Sequence, residues 1–467
     1  RIVVEGDLKL IAPARFGGGE TSDLVDMPLA RNAQGKPLLT GASIAGAARN
    51  YLRECELGYG KAESPKDLTT LNQKLFGEVI EAAEPEERRS VESYLIIDDA
   101  TSDTLGTELR DGVAIDSKTR TADDGALFNM ELLEAGAIFK LRFELALPEK
   151  NADKLLRAFA IALKGFQEGE IGLGARKRRG LGQCKVEKWL VDDYDLTKPD
   201  RLTAWIKNDQ SMKRETADIV SWLKVEKGDL VDERHCFTLD ANFEIDSSLL
   251  IRSGSGDADS PDMVHLRSKR NGIETPILSG TSLAGAIRAR ALKIAKTLKL
   301  SDAQSLVDDI FGPRLEKGDK KTRASRAVVR ESELTGTIDD RVQTRVKIDR
   351  FTGGTYPGAL FNQQPSFGGV GSRLNVWVEL RIVDDEKSKR EIGLLLQVLK
   401  DLWMGELPLG GEASVGRGRL RGKEATLKYG KKTTWKIVKD GEETIKFEEG
   451  AADDLEKFVT ALKGGAK

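Results

Sequence analysis

The sequence predicts an α+β protein built from two tandem copies of one domain. Three observations carry this. The length of 467 residues exceeds the loose prior of about 150 per domain. Blocks of sequence recur in the same order half a chain apart, and each copy shows the order strand, helix, strands, helix, strand. With 39% hydrophobic residues the chain can bury sizeable cores. At 32% charged, with no apolar run near the roughly 20 residues of a membrane span, it reads as soluble and globular.

The recurring blocks define the copies. Gly41-Ala42-Ser43-Ile44-Ala45-Gly46 returns as Gly280-Thr281-Ser282-Leu283-Ala284-Gly285, and Arg49 returns as Arg288. Asp26-Met27 is answered by Asp262-Met263, Phe76-Gly77 by Phe311-Gly312, and Gly125-Ala126-Leu127-Phe128-Asn129 by Gly358-Ala359-Leu360-Phe361-Asn362. Gly169-Glu170, Leu173-Gly174, Gly180 and Gly182 return as Gly405-Glu406, Leu409-Gly410, Gly416 and Gly418. The offset drifts between 233 and 239 while the order is kept, which marks a duplicated domain with small insertions rather than a short-period solenoid. The first copy covers 1–190 and the second 233–428, with a linker at 191–232 and a C-terminal extension at 429–467.

Taken in order, each copy opens on a strand of alternating apolar positions (Ile2–Ile11; Cys236–Ile245) that runs into a Gly-rich loop. A polar loop then carries Asp26 or Asp262. Next comes an Ala-rich helix with Ser43 or Ser282 on its N-cap side, ending near Cys55 or Ala295, whose small residues let it lie close to a sheet. Strands follow at Ser93–Asp98, Gly112–Asp116 and Ile138–Leu147, and at Ala327–Glu331, Arg345–Asp349 and Leu374–Ile382. A second amphipathic helix (Ala152–Gln167; Lys387–Trp403), a Gly/Arg loop and a last strand (Lys185–Val191; Arg419–Leu427) complete each copy. This is the order of a ferredoxin-like sandwich, with long loop insertions carried on one face. Trp205 and Trp222 are placed to anchor a short helical linker, and the acid-rich extension reads as a hairpin and a short helix.

Several chemistries are excluded early. Cys55, Cys184 and Cys236 form no CxxC pair, which removes zinc ribbons, thioredoxin-like sites and a disulfide framework, and a reducing cytoplasm fits best. Arg1-Ile2-Val3-Val4-Glu5 is strand-like and is not a secretory leader. The net charge of -2 is silent on polyanionic partners, so any basic surface must be local. His235 and His265 are the sole histidines, and none stands in the first 234 residues, so a histidine pair cannot operate there.

The candidate residues lie in the loops. Gly17, Gly18 and Gly19 could cradle a phosphate through backbone N–H groups or form a plain turn; no P-loop or dinucleotide fingerprint is present. Arg176, Lys177, Arg178 and Arg179 put four cations in one loop without an acid, which suits a phosphate-backbone clamp or a solvated tip. Its counterpart keeps the glycines and moves the charge to Arg417, Arg419 and Arg421, and Lys320 and Lys321 add to the basic clusters of the second copy. Ser43, Arg49, Ser282 and Arg288 are either cap and surface residues or phosphate contacts. Asp26 and Asp262 recur in both copies, but so do Asp23 and Asp259, and repetition alone does not choose between them. His265 faces Leu29 in the other copy and is read as incidental.

Strand, Gly-rich turn, loop aspartate, Gly-x-Ser-[IL]-x-Gly-x-x-Arg helix start and late Gly-rich Arg loop together resemble the RAMP superfamily. Within it they resemble the Cas seven backbone subunits of type III CRISPR RNA-guided complexes, in a two-copy arrangement like that of type III-D systems. Arg15 and Arg252 occupy the area where single-copy relatives often have histidine. The resemblance implies RRM-like palms that hold guide RNA, with thumb hairpins near Leu105–Asn129 and Thr335–Asn362. It also implies that Asp26 and Asp262 cut bound single-stranded target RNA through attack of a ribose 2′-OH on the adjacent phosphate, helped by Mg²⁺ or a similar divalent cation. Such chemistry needs no histidine. The expected RNA-binding set is then Arg15, Gly17, Gly18, Gly19, Ser43, Arg49, Arg176, Lys177, Arg178, Arg179, Arg252, Ser282, Arg288 and Arg417. Expected partners are the guide RNA, the target RNA, further RAMP-type effector subunits and a large signature subunit, in a prokaryotic cytoplasm with no membrane. Two other readings stay open: a non-catalytic RNA-binding scaffold, and a guide-processing endoribonuclease.

Overall fold

A computed structural model describes residues 1–17, 25–64, 69–80, 89–104, 106–116, 119, 121–209, 213–253, 261–314, 323–441 and 444–464. The first copy contains β1 (Ile2–Leu10), α1 (Gly41–Leu57), β2 (Leu95–Ile97), β3 (Ile138–Leu145), α2 (Ala152–Gln167) and β4 (Cys184–Asp193). The second contains β5 (Cys236–Ile245), α3 (Gly280–Thr297), β6 (Ala327–Val329), β7 (Arg373–Arg381), α4 (Asp385–Trp403) and β8 (Leu420–Tyr429). Their antiparallel sheets run β4-β1-β3-β2 and β8-β5-β7-β6, so both copies have the ferredoxin-like order.

One face of each sheet is covered by its two helices, and the sequence shows why. In β1 the inward positions Val4, Leu8 and Leu10 are buried, and in α1 the stripe Ile44, Ala48, Leu52 and Cys55 returns at helical spacing to meet them. Phe143 on β3 packs against Phe159 and Phe166 of α2 and against Trp189 of β4. Each such ring removed from water contributes roughly 1.5–3 kcal/mol. A bulge after Gly6 admits Trp189, whose ring lies where a Cβ at Gly6 would stand; the second copy has a bulge at the matching place, between Asn242 and Phe243.

The helix starts differ from expectation. Thr40 and Ser279 are the N-caps, each accepting from the backbone N–H of Ser43 or Ser282, which therefore sit inside the first turn. The segment between the copies also does more than link them. Arg214–Thr216 adds an edge strand beside β4, Ile219 and Val220 enter the first core, and Trp205 packs edge-on to Tyr194. In the extension, Thr433–Asp440 and Thr444–Glu449 continue the second sheet past β8, and the helix Ala452–Lys463 lies against α4. No described helix is long and apolar enough to cross a membrane.

Each copy projects a two-stranded hairpin, Thr107–Ile115 with Ala122–Leu133 and Gln343–Ile348 with Thr355–Gln364. The base of the first hairpin is tied into the second copy. Glu331, 1% exposed, pairs with Arg110 and with Arg270, and Glu108 pairs with Arg110 at 2.7 Å while accepting from the backbone N–H of Lys269. Arg381 of the second copy reaches Glu54 on α1 at 3.0 Å. The copies are thus docked through buried charge as well as through the chain.

Candidate functional site

In each copy the loop carrying the candidate aspartate is laid against the base of its hairpin. Met27 bridges Met130 in parallel, the N–H of Glu131 donates to the Met27 carbonyl at 3.1 Å, and the N–H of Leu29 donates to Glu131 Oε2 at 2.9 Å. Arg31 closes the strap on Glu131 at 2.6 Å. Above it, the N–H of Asn129 donates to Asp26 Oδ2 at 2.8 Å while the N–H of Asp26 donates to Asn129 Oδ1 at 2.8 Å. The carboxylate is exposed, and Oδ1 of Asp26 has no hydrogen-bond partner among the described residues. The second copy repeats the carboxylate contact and the parallel pairing. The N–H of Asn362 donates to Asp262 Oδ2 at 2.7 Å, Met263 and Val264 pair in parallel with Gln363 and Gln364, and Asp262 is exposed. Asn129 and Asn362 were missed as site residues, although their signal was in the sequence: both end the recurrent Gly-Ala-Leu-Phe-Asn block.

Two guanidiniums contact the chain neighbours of this clasp. Arg15 Nε donates to the carbonyl of Met27, next to Asp26, at 3.2 Å. Arg176 lies 4.6 Å over the ring of Phe128, next to Asn129. The two guanidiniums are joined through the backbone, since the N–H of Ala175 donates to the Arg15 carbonyl at 3.0 Å. Among the described residues neither has a carboxylate within 4.0 Å, and burial, then Arg15, holds the Arg176 pKa below its ordinary value.

The basic run does not form a free tip. Lys177–Arg179 make one 3₁₀ turn between left-handed Arg176 and Gly180, and this turn is pressed onto the second copy. A Cβ at Gly180 would stand 2.4 Å from the backbone nitrogen of Glu331, and one at Gly280 would stand 2.3 Å from the Arg179 carbonyl, so glycine permits the contact. Arg179 donates to the carbonyls of Phe311 and Ala327, and burial followed by Arg288 brings its pKa down to about 10. Lys177 stays exposed and Arg178 half-buried, with no carboxylate within 4.0 Å among the described residues. The turn is therefore part anchor and part open cation.

The remaining predicted residues are dispersed. Arg49 pairs with Glu78, and Arg288 with Asp308 at 2.7 Å. Ser43 and Ser282 serve the caps. Arg417, 3% exposed, is enclosed by Glu412, Ser248, Gln343 and Gln363, so it faces the interior and not a ligand surface. Arg252 is exposed and 4.0 Å from Glu412. The hydrogen bonds also set the correspondence between the two copies here. The Arg15 carbonyl accepts from Ala175 as the Leu250 carbonyl accepts from Gly411, so Arg15 corresponds to Leu250 and Arg252 to Gly17. His265, 3% exposed, accepts at Nδ1 from the N–H of Ile251 and reaches the Ile277 carbonyl from Nε2, a core role. Gly18, Gly19, Asp23, Asp259, Lys320 and Lys321 lie outside the described residues.

A duplicated ferredoxin-like palm, a hairpin on each, and a loop aspartate clasped to each hairpin base define the class. The chain belongs to the RAMP superfamily, whose pattern matches residues 7–185 and again 242–421. It is similar to the CRISPR system Cms endoribonuclease Csm3 of Methanocaldococcus jannaschii, at 24% identity over 250 residues. That alignment takes in 92% of the relative and 48% of this chain.

Proposed function

We propose that this chain is a two-copy backbone subunit of a type III CRISPR RNA-guided complex, of type III-D character, that holds guide RNA and cuts complementary target RNA at Asp26 and at Asp262. The observation that carries the reading is the clasp made twice: an exposed carboxylate fixed by one oxygen to the N–H of Asn129 or Asn362, at the base of a projecting hairpin. A relative bearing the name endoribonuclease supports the class of reaction.

In the step proposed, a target 2′-OH attacks the adjacent phosphorus in line, the P–O5′ bond breaks, and the products are a 2′,3′-cyclic phosphate and a 5′-hydroxyl. The Asn129 N–H orients the carboxylate so that its second oxygen faces the strand, where it takes the 2′-OH proton; the departing 5′ oxygen gains its proton from water. Arg15 and Arg176 offset the charge that develops on the phosphate. Among the described residues no three His, Cys, Asp or Glu side chains gather to cage a metal. Mg²⁺ commonly binds through one or two carboxylates together with substrate phosphates, and Asp26 or Asp262 offers one such ligand. When bound, the cation would supply further charge stabilisation. Guide RNA, target RNA, further RAMP-type subunits and a large signature subunit are the partners in this reading.

The test is product mapping with assembled complex, guide and Mg²⁺. Asp26→Ala and Asp262→Ala should each remove one product and keep target binding; unchanged cleavage in both sinks the proposal. One observation favours a second reading, a non-catalytic scaffold. Each aspartate already closes a loop onto its hairpin, a purely structural use of the carboxylate. In that case Asp→Ala loosens the hairpin and lowers RNA binding without changing any product.

A further inference from the structure

We propose that the two cleavage sites are unequal by construction: Arg176 gives the Asp26 site a phosphate-facing guanidinium that Glu412 denies to the Asp262 site, so the first copy is the faster nuclease. The inference rests on the reading of both aspartates as cleavage residues. It starts from a charge reversal at one backbone position. Arg176 (φ 54°, ψ 30°) and Glu412 (φ 60°, ψ 33°) both stand in the left-handed conformation directly before a 3₁₀ turn, in the two copies of the same loop. The backbone around them is matched by Ala175 donating to the Arg15 carbonyl and Gly411 to the Leu250 carbonyl. The geometry is shared and the charge is opposite.

The reversal belongs to a set of three. Beneath the first site, Met130, Leu132 and Leu181 form a small apolar cluster with Met27 and Phe128. At the same places the second copy has Gln363 for Met130 and Arg417 for Leu181, by the offsets of the recurrent blocks. Arg417 is buried, and a buried guanidinium demands a carboxylate. Glu412 supplies it at 2.8 Å and also holds Arg345 at 3.2 Å and Arg252 at 4.0 Å. Three second-copy guanidiniums are therefore drawn onto one carboxylate. In the first copy, where the plug is apolar, no acid is needed, and among the described residues Arg15 and Arg176 remain without one.

Cleavage raises the negative charge on the phosphate, and a fixed guanidinium at that point is worth more in the transition state than in the bound state. A carboxylate at the same point opposes the reaction and competes for the local arginines. Removing one such donor typically slows a reaction by about 10²–10³-fold.

The experiment is single-turnover cleavage by assembled complex on a saturating labelled target, with both products resolved. In the unaltered complex the Asp26 product should form at least about tenfold faster than the Asp262 product. Arg176→Ala should slow the Asp26 product by about 10²-fold with target affinity kept and the Asp262 product unaffected, and Arg176→Lys should restore part of the rate. Glu412→Arg alone would bury unpaired cations and fail to fold. The triple change Glu412→Arg, Arg417→Leu and Gln363→Met removes the buried guanidinium together with its carboxylate and leaves Arg345 and Arg252, the more exposed of the three, to water; it should speed the Asp262 product about tenfold. Equal rates in the unaltered complex, or Arg176→Ala slowing both products alike or neither, overturn the inference. If the unaltered complex forms no product, the cleavage reading falls and this inference with it. If Asp26→Ala removes one product, that reading stands and the two rates decide the inequality alone.

Discussion

Glu331 holds the two copies together, and replacing it by its uncharged isostere should expose how much that is worth. Its carboxylate is 1% exposed and pairs with Arg110, 6% exposed, and with Arg270. At an effective dielectric of about 20, each charge pair near 4 Å is worth about 4 kcal/mol before solvation is counted. Glu331→Gln leaves Arg110 with Glu108 alone, a surplus of one buried positive charge. Breaking such a pair from one side costs about 3–5 kcal/mol. Arg110→Met with Glu331→Leu leaves Glu108 and Arg270, one charge of each sign, and is expected to lie within about 1 kcal/mol of the unaltered protein or above it. Urea unfolding, which does not screen charge, gives the two values, and proteolysis across residues 191–232 reports whether the copies separate. The reasoning is refuted if Glu331→Gln costs less than about 1 kcal/mol, or if the paired replacement is as damaging as the single one.

Two further predictions concern charge. Burial holds the His265 imidazole at about 4, below its ordinary 6.5, so the folded state binds fewer protons than the unfolded one between these values. The stability this gives is full above about pH 6.5 and is lost as pH falls toward 4; from pH 7 to 5 the loss is about 2 kcal/mol, and His265→Gln should flatten that slope in urea midpoints. Lys177→Ala with Arg178→Ala should weaken guide RNA binding and reduce the log–log salt slope by about 1.4, at about 0.7 per phosphate contact on a single strand. An unchanged slope in filter binding would make the turn a docking element only.

The sequence by itself determined the duplication and the α+β class, because these depend on local pattern: alternation in β1, helical spacing in α1, and blocks that recur in order. Glycine was legible for the same reason, since a position needing close approach, such as Gly180 or Gly280, accepts little else. What each charged residue does was decided by tertiary structure. Arg176 and Arg417 look alike in sequence, yet one lies over the Phe128 ring and the other is enclosed with Glu412. Arg179, expected in a clamp, anchors the second copy. The correspondence of Arg15 with Leu250 was likewise set by hydrogen bonds, Ala175 to the Arg15 carbonyl and Gly411 to the Leu250 carbonyl. Periodicity reports which face of an element is buried. The partner of a charge is chosen in three dimensions, from residues as far apart as Arg110 and Glu331, and only the folded chain brings them together.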